Sequence, residues 1–116
     1  MDIYEWKIKE FLINCKNAVT NNKVIIVNRK EYKEFLESFE LFICEPKNII
    51  LELEPSDYVS GPEEDRSDIS EKDIWIFKKQ YDTGNGKLIN LYIKLKLIYN
   101  NNEYNVKCIS FHEDEK

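Results

Sequence analysis

Residues 88–99 read LINLYIKLKLIY and alternate between apolar and polar side chains over most of their length. Such a period of two is typical of a β-strand that buries one face, because successive side chains of a strand point to opposite sides of the sheet. The apolar side comprises Leu91, Ile93, Leu95 and Leu97. The opposite side comprises Tyr92, Lys94 and Lys96. The segment therefore predicts a strand with an apolar face towards a core and a polar face away from it.

Two further segments predict the neighbours of this strand. Residues 74–81 precede it and are joined to it by DTGNG at 82–86, a composition that favours a hairpin turn. Residues 105–112 follow it, after three consecutive asparagines at 100–102. Because short connections of this kind join antiparallel neighbours, we expect an antiparallel β-meander over residues 73–112.

The register between the last two strands follows from their apolar residues. Cross-strand partners share a face, and a slip of one residue would exchange the two faces. Burial of Ile93 opposite Phe111 pairs two apolar side chains. The same alignment places Leu95 opposite Ile109 and leaves a three-residue loop at 101–103.

That register gives the polar face a defined set of neighbours. It places Tyr92 opposite His112, Lys94 opposite Ser110 and Lys96 opposite Cys108. Lysines supply positive charge, a tyrosine can stack or transfer a proton, and an imidazole titrates near neutral pH. The face is therefore either the solvated side of a sheet or a phosphate-binding surface. In the second case, cations at Arg66 and at Lys78 or Lys79 could extend it.

The N-terminal half predicts helices before the meander. Residues 2–19 carry apolar side chains at helical spacing, residues 24–27 are a short β-branched run, and residues 28–39 repeat the helical pattern. Residues 46–53 are compatible with a strand or with a short helix that begins at a proline. Residues 55–72 contain prolines, a glycine and many acidic side chains, and predict a loop. Helices followed by an antiparallel meander indicate an α+β fold.

The length of 116 residues is typical of one domain, and we expect a single domain over 1–116. Its expected parts are a mainly helical segment at 1–54, an acidic loop at 55–72 and the meander at 73–112.

The composition argues against several kinds of protein. Hydrophobic residues make up 42% of the chain and charged residues 34%, which is ordinary for a soluble domain. Three widely spaced cysteines and a single histidine, His112, argue against a disulfide framework, a zinc ribbon and any mechanism that needs two histidines. We therefore expect neither a metal nor an organic cofactor. No apolar run is long enough to span a bilayer and the first residues lack a secretory signal, so we expect a cytoplasmic protein with no membrane partner.

Charge is distributed unevenly around a net value of −5. Residues 52–71 carry one basic and eight acidic side chains, whereas residues 72–111 carry seven basic and three acidic ones. Local potential steers a partner more than total charge does. The basic segment is therefore suited to an anionic ligand, and the acidic one to a basic protein.

Four segments in combination resemble the motility quorum-sensing regulator (MqsR) family of toxins. They are SDYVSGPEEDR at 56–66, DIWIFKK at 73–79, YIKLK at 92–96 and KCISFH at 107–112. The resemblance covers roughly residues 49–113. It is closest to a branch of the family with a D-Y-x-S-G-P-x-x-D-R loop and a C-terminal C-I-S-F-H.

The resemblance implies a fold and a function. The fold would be like that of the RelE and YoeB toxins, in which helices pack on one side of a twisted antiparallel sheet. The function would be that of an mRNA interferase, a metal-independent endoribonuclease that acts as the toxin of a type II toxin–antitoxin system. The partners would be mRNA and a cognate antitoxin of the MqsA type. The resemblance also implies a helix at 46–53.

The resemblance implies that the active site lies on the same polar face of the sheet. The best-known member has a tyrosine at the position of Tyr92 and a lysine at the position of His112. A further family lysine falls near Ser60 and a family glutamine falls at Ile76, so other groups must supply the polar contacts there. We expect His112 to act as general acid or base, Tyr92 as its hydroxyl counterpart or as a stacking platform, and Lys94 to hold the phosphate. The candidate catalytic residues are thus His112, Tyr92 and Lys94, and the candidate RNA-binding residues are Lys96, Lys79, Lys78 and Arg66.

Two other functions remain open from the sequence. One is a non-catalytic module that binds a basic protein through the acidic segment 52–71. The other is an RNA-binding protein that uses the basic sheet face without cleaving its ligand.

Overall fold

The computed structural model describes residues 5–27, 30–38, 45–63, 73–82, 86 and 88–114. Its helices are α1 (Glu5–Thr20), α2 (Lys30–Ser38) and α3 (Glu45–Glu52), followed by a 3-10 turn at Pro55–Asp57. Its strands are β1 (Val24–Ile26), β2 (Tyr58–Glu63), β3 (Ile74–Asp82), β4 (Leu88–Asn100) and β5 (Glu103–Glu113). The α+β prediction is confirmed. None of the helices in these ranges is long and apolar enough to cross a membrane.

The five strands form one mixed sheet in the order β1-β5-β4-β3-β2. The predicted meander of β3, β4 and β5 is antiparallel throughout. The prediction of a purely antiparallel sheet is wrong at one edge, where β1 pairs with β5 in parallel. Because α1 precedes β1 and two helices follow it, β1 is far in sequence from its partner, and hairpin signals say nothing about such a pairing.

Helix α1 covers the middle of the sheet with one apolar face. Its buried side chains follow helical spacing and are Ile8, Phe11, Leu12, Cys15, Ala18 and Val19. The Phe11 ring stacks on Trp75 at 4.6 Å and lies 5.9 Å from Phe77. These aromatic contacts fix α1 against β3, so the helical side of the sheet is closed by packing.

Helices α2 and α3 complete that layer. In α2, Tyr32 and Phe35 place their rings edge-on against Phe111 of β5, at 6.4 and 5.6 Å. In α3, the adjacent residues Ile49 and Ile50 are both buried. Two consecutive buried residues do not fit a strand with one exposed face, and the helix is the correct alternative for this segment.

Strand β2 corrects the prediction of a loop over 55–72. Residues 58–63 pair with β3 through an irregular register, with Tyr58 opposite Phe77 and Glu63 opposite Ile74. Gly61 has φ +119°, and a Cβ there would lie 2.5 Å from the Ile74 carbonyl oxygen. The glycine that signals a loop in the sequence thus permits a close backbone approach within a strand pair. The rest of the predicted loop, at 64–72, lies outside the described residues.

The predicted register between β4 and β5 is confirmed near the end of β5. Tyr92 lies opposite His112, Ile93 opposite Phe111 and Lys94 opposite Ser110. Beyond that point the register shifts by one residue, so that Leu95 faces Cys108 and Lys96 faces Lys107. The extra residue, Ile109, forms a β-bulge. The predicted pairs of Leu95 with Ile109 and of Lys96 with Cys108 are therefore wrong.

The bulge is matched by a shorter turn between the two strands. Asn101 and Asn102 alone form the turn, with φ +54° and +63°. Two central residues with positive φ are the mark of a type I′ hairpin, and asparagine tolerates that conformation better than most residues. The expected three-residue loop at 101–103 is therefore wrong, because Glu103 already pairs with Asn100.

The bulge also exchanges the faces of β5. Cys108, expected on the polar face, is buried in the main core together with Val106 and Phe111. Ile109, expected in that core, packs on the other side of the sheet with Ile74 and Ile76. The two ends of β5 thus follow different alternation patterns.

Candidate functional site

Three neighbouring strands place Lys78, Tyr92 and His112 in one row. Lys78 of β3 lies opposite Tyr92 of β4, and Tyr92 lies opposite His112 of β5. All three side chains are half-buried. They alternate with the core residues Phe77, Ile93 and Phe111. The row therefore lies on the sheet face opposite the helices.

Tyr92 and His112 form a stacked pair at the centre of this row. Their ring centroids are 5.3 Å apart, with an angle of 26° between the ring planes. The strands set this contact, because directly opposed residues have their Cβ atoms only about 4.5–5.5 Å apart. The predicted juxtaposition of these two residues is confirmed.

One hydrogen bond assigns the tautomer of His112. Its Nδ1 lies 2.9 Å from the backbone oxygen of Glu113. A carbonyl oxygen only accepts, so we assign the hydrogen to Nδ1. In the neutral ring Nε2 then keeps a free lone pair, and this atom can accept a proton.

Lys94 brings a cation to the same pair. Its Nζ lies 6.0 Å from the centre of the Tyr92 ring, within the range of a cation–π contact. Ser110 lies opposite Lys94 and is also half-buried. The three candidate catalytic residues are thus brought together, with a hydroxyl beside them.

Lys78 joins the group through an ion pair. Its Nζ lies 3.0 Å from Oδ2 of Asp114, with side-chain exposures of 40% and 13%. Asp114 extends β5 by one residue, since its backbone N–H donates to the carbonyl oxygen of Asn90 at 2.7 Å. The cation therefore lies close to the Tyr92–His112 pair.

The remaining predicted cations do not join this group in the same way. Lys79 alternates to the helical side of the sheet, where its Nζ lies 3.7 Å from Asp57. Lys96 is on the predicted face but only 1% exposed, so a ligand cannot reach it in this conformation. Arg66 lies outside the described residues.

An apolar cluster borders the site on the Lys96 side. It consists of Ile74, Ile76 and Ile109, and Tyr92 packs against it. Ile76 lies directly opposite Lys94. Ile76 is therefore part of an apolar wall against which the Tyr92 ring packs.

The sequence pattern did not identify two residues that lie near the site. Lys107 lies opposite Lys96 on the same face, because the bulge moves it there from the side that alternation predicts. Lys107 thus places a half-buried cation near the Lys96 end of this face. Asp114 lies two residues past the predicted end of its strand, and only the longer β5 reveals its position.

The buried thiols carry no comparable chemistry. Burial raises the pKa of Cys108 to about 12 and that of Cys15 well above its usual value. Both sulfurs are therefore neutral thiols at physiological pH and weak nucleophiles. Within the described ranges, no group of three His, Cys, Asp or Glu residues is arranged to hold a metal ion.

No family model, no curated protein and no solved structure matches this chain. The resemblance to the MqsR family rests on the four quoted segments and stays a prediction. The functional argument accordingly starts from the residues of the Tyr92–His112 face.

Proposed function

We propose that the chain is a metal-independent endoribonuclease that cleaves mRNA and acts as the toxin of a type II toxin–antitoxin system. The observation that carries this proposal is the stacked Tyr92–His112 pair with Lys94 and Lys78 beside it. It combines a proton acceptor, a proton donor and cations on one half-exposed face. These are the groups that RNA cleavage by the 2′-hydroxyl needs when no metal takes part.

His112 is the general base of the proposed reaction. Nε2 takes the proton from a ribose 2′-hydroxyl, and the 2′-oxygen attacks the adjacent phosphorus. The bond from phosphorus to the 5′-oxygen breaks, which leaves a 2′,3′-cyclic phosphate on one product. A positioned base of this kind contributes about 10²–10⁴-fold to a rate.

Tyr92 is the general acid. Its phenol gives a proton to the departing 5′-oxygen, so the second product carries a free 5′-hydroxyl. The proton held by His112 then returns to the phenolate through solvent water, which restores both side chains. Stacking against His112 keeps the two rings in a fixed relative orientation for these proton transfers.

The lysines stabilise charge at phosphorus. Negative charge grows on the non-bridging oxygens as the 2′-oxygen attacks, and fixed cations lower the energy of that state. Lys94 follows Tyr92 by two residues in β4, and Lys78 lies opposite Tyr92 in β3. Both cations are suited to this role. Bases next to the cleaved bond can stack on aromatic side chains, as unpaired RNA commonly does.

The proposed protein partner is an antitoxin of the MqsA type, encoded beside the toxin. This part of the proposal is supported by the sequence resemblance alone. A neighbouring gene for a small protein with zinc-binding cysteines and a helix-turn-helix would support it.

The test is incubation of the purified protein with a long mRNA in EDTA, without ribosomes, followed by mapping of the new ends. We expect specific cuts that leave 2′,3′-cyclic phosphates and 5′-hydroxyls. The substitution His112→Ala should lower the cleavage rate by at least about 10²-fold. Lys9→Gln, which removes an exposed cation on α1, is the matched control and should cut like the parent.

Each outcome of this test has a defined meaning. Unchanged cleavage by a folded His112→Ala variant, with its fold checked by circular dichroism, would contradict the assignment of the base. Intact RNA in the first assay leads to the same assay with translating ribosomes. Binding of RNA without cleavage in both assays would replace the proposal by the RNA-binding alternative.

A further inference from the structure

A salt bridge crosses the sheet beside the proposed active site. Lys78 belongs to β3 and Asp114 follows β5, with β4 between them in the sheet. The backbone N–H of Asp114 donates to Asn90, so the residue is anchored next to Leu91 and Tyr92 of β4. The Lys78 side chain must therefore extend diagonally over β4, past Tyr92, to reach the carboxylate.

The two partners differ in exposure. The Asp114 side chain is 13% exposed and sits on an anchored backbone, whereas Lys78 is 40% exposed. A free lysine has a flexible stem and loses rotamer entropy when it is ordered. A mostly buried carboxylate at 3.0 Å restricts that freedom and gives the ammonium a defined position.

We propose that Asp114 is a positioning residue, which holds the Lys78 ammonium beside the Tyr92–His112 pair so that the cation is in place before the RNA phosphate arrives. This inference rests on the proposed function. An ammonium has three donors, so Lys78 can keep Asp114 on one hydrogen and bind a phosphate oxygen with another. Cations that need no rearrangement during the reaction are the ones that lower a barrier most.

The same carboxylate has an opposite effect on binding. A negative charge next to the site repels the phosphate, and its removal should strengthen RNA binding at low salt. The positioning role predicts, at the same time, slower cleavage of bound RNA. Tighter binding with slower chemistry is therefore the distinguishing signature of Asp114, and a merely structural residue would not produce it.

The experiment uses Asp114→Asn, which keeps the size of the side chain and removes its charge. We expect single-turnover cleavage at saturating protein to fall roughly tenfold to hundredfold. RNA affinity at low salt, measured with a 2′-O-methyl oligonucleotide that cannot be cut, should become up to roughly tenfold tighter. In a Lys78→Gln background, Asp114→Asn should have no further effect on the rate, because the two residues act as one unit.

The sheet itself offers a matched control. Lys79 and Asp57 form a similar ion pair on the opposite face, at 3.7 Å. Asp57→Asn removes the same charge, and its amide oxygen can still accept the hydrogen bond from the backbone N–H of Glu54. It should leave both cleavage of bound RNA and RNA affinity unchanged.

A second measurement does not depend on cleavage. NMR order parameters of lysine side chains should show a Lys78 stem that is ordered in the parent protein and mobile in Asp114→Asn, with Lys79 unaffected. Equal mobility of Lys78 in the two proteins would overturn the positioning role even if RNA is cut. Unchanged single-turnover cleavage by Asp114→Asn would overturn it as well. RNA left uncut by the parent protein, both alone and with translating ribosomes, would overturn the proposed function instead, even with an ordered Lys78.

Discussion

His112 takes its chemical character from a single neighbouring carbonyl group. Because Nδ1 donates to the Glu113 oxygen, Nε2 is the nitrogen that can accept a proton. The Tyr92 ring stacks on this imidazole, and the Lys94 ammonium lies over the same Tyr92 ring. At the scale of single residues, the site is therefore defined by one contact between adjacent strands, that of Tyr92 with His112, and by two contacts within a strand.

Cys108 leads to a prediction about alkaline pH. Burial raises the pKa of its thiol from 9.0 to about 12, whereas the unfolded chain ionises this thiol near its ordinary value. The buried thiol stabilises the protein fully below about pH 9, and that contribution is lost as the pH rises towards 12. The loss of stability from this source amounts to about 1.4 kcal/mol at pH 10.

The measurement is urea unfolding of the parent and of Cys108→Ala at several pH values. We expect the variant to be less stable at pH 7, because it leaves a small cavity, and to lose less stability than the parent between pH 8 and pH 10. Parallel pH curves for the two proteins would contradict the assignment of the alkaline loss to Cys108.

At the scale of elements, the turn between β4 and β5 predicts that one substitution at Asn102 raises the free energy of unfolding and another lowers it. Asn102 has φ +63°, where glycine is unstrained and alanine costs about 1 kcal/mol. Asn102→Gly should therefore raise the free energy of unfolding slightly, and Asn102→Ala should lower it by roughly 1 kcal/mol. Thermal unfolding of the three proteins tests this order, and equal stability of the glycine and alanine variants would argue against a type I′ turn.

The sequence predicted the elements best where the pattern was local. Alternation in β4 and the apolar residues of β5 were enough to place Tyr92 opposite His112. The same alternation could not reveal the bulge at Ile109, because an isoleucine suits either face of a strand. It also could not reveal β2, whose proline and glycine are read as breakers unless the contact of Gly61 with β3 is known.

At the scale of the whole molecule, one core joins the helices to the sheet. Phe77 is fully buried at its centre, 5.9 Å from Phe11 and 6.3 Å from Tyr58. Phe77→Ala should lower the free energy of unfolding by about 3–5 kcal/mol, a large part of what a domain of this size has. Denaturant unfolding measures this loss.

The matched control for that substitution lies on the outer side of α1. Ile13 is 58% exposed, and Ile13→Ala should change stability by less than about 0.5 kcal/mol. A similar loss in both variants would mean that the core is not where the structure places it.

The long-range features of the molecule were beyond sequence reasoning. The parallel pairing of β1 with β5 joins residues about eighty positions apart, such as Val24 and Val106, and no local signal marks it. The candidate site was predicted in its centre, at Tyr92, Lys94 and His112. The outer parts of the site were not predicted, because the burial of Lys96 and the ion pair of Asp114 depend on three-dimensional packing.

The bulge at Ile109 divides β5 into two segments that face the core with different residues. Before it, alternate residues of β5 must suit the core through Val106 and Cys108, and after it through Phe111. A strand without the extra residue would have to bury both sets of core residues with one uninterrupted alternation of side chains. The position of Ser110 and His112 on the outer face is therefore set by the segment after the bulge, separately from the segment that pairs with β1.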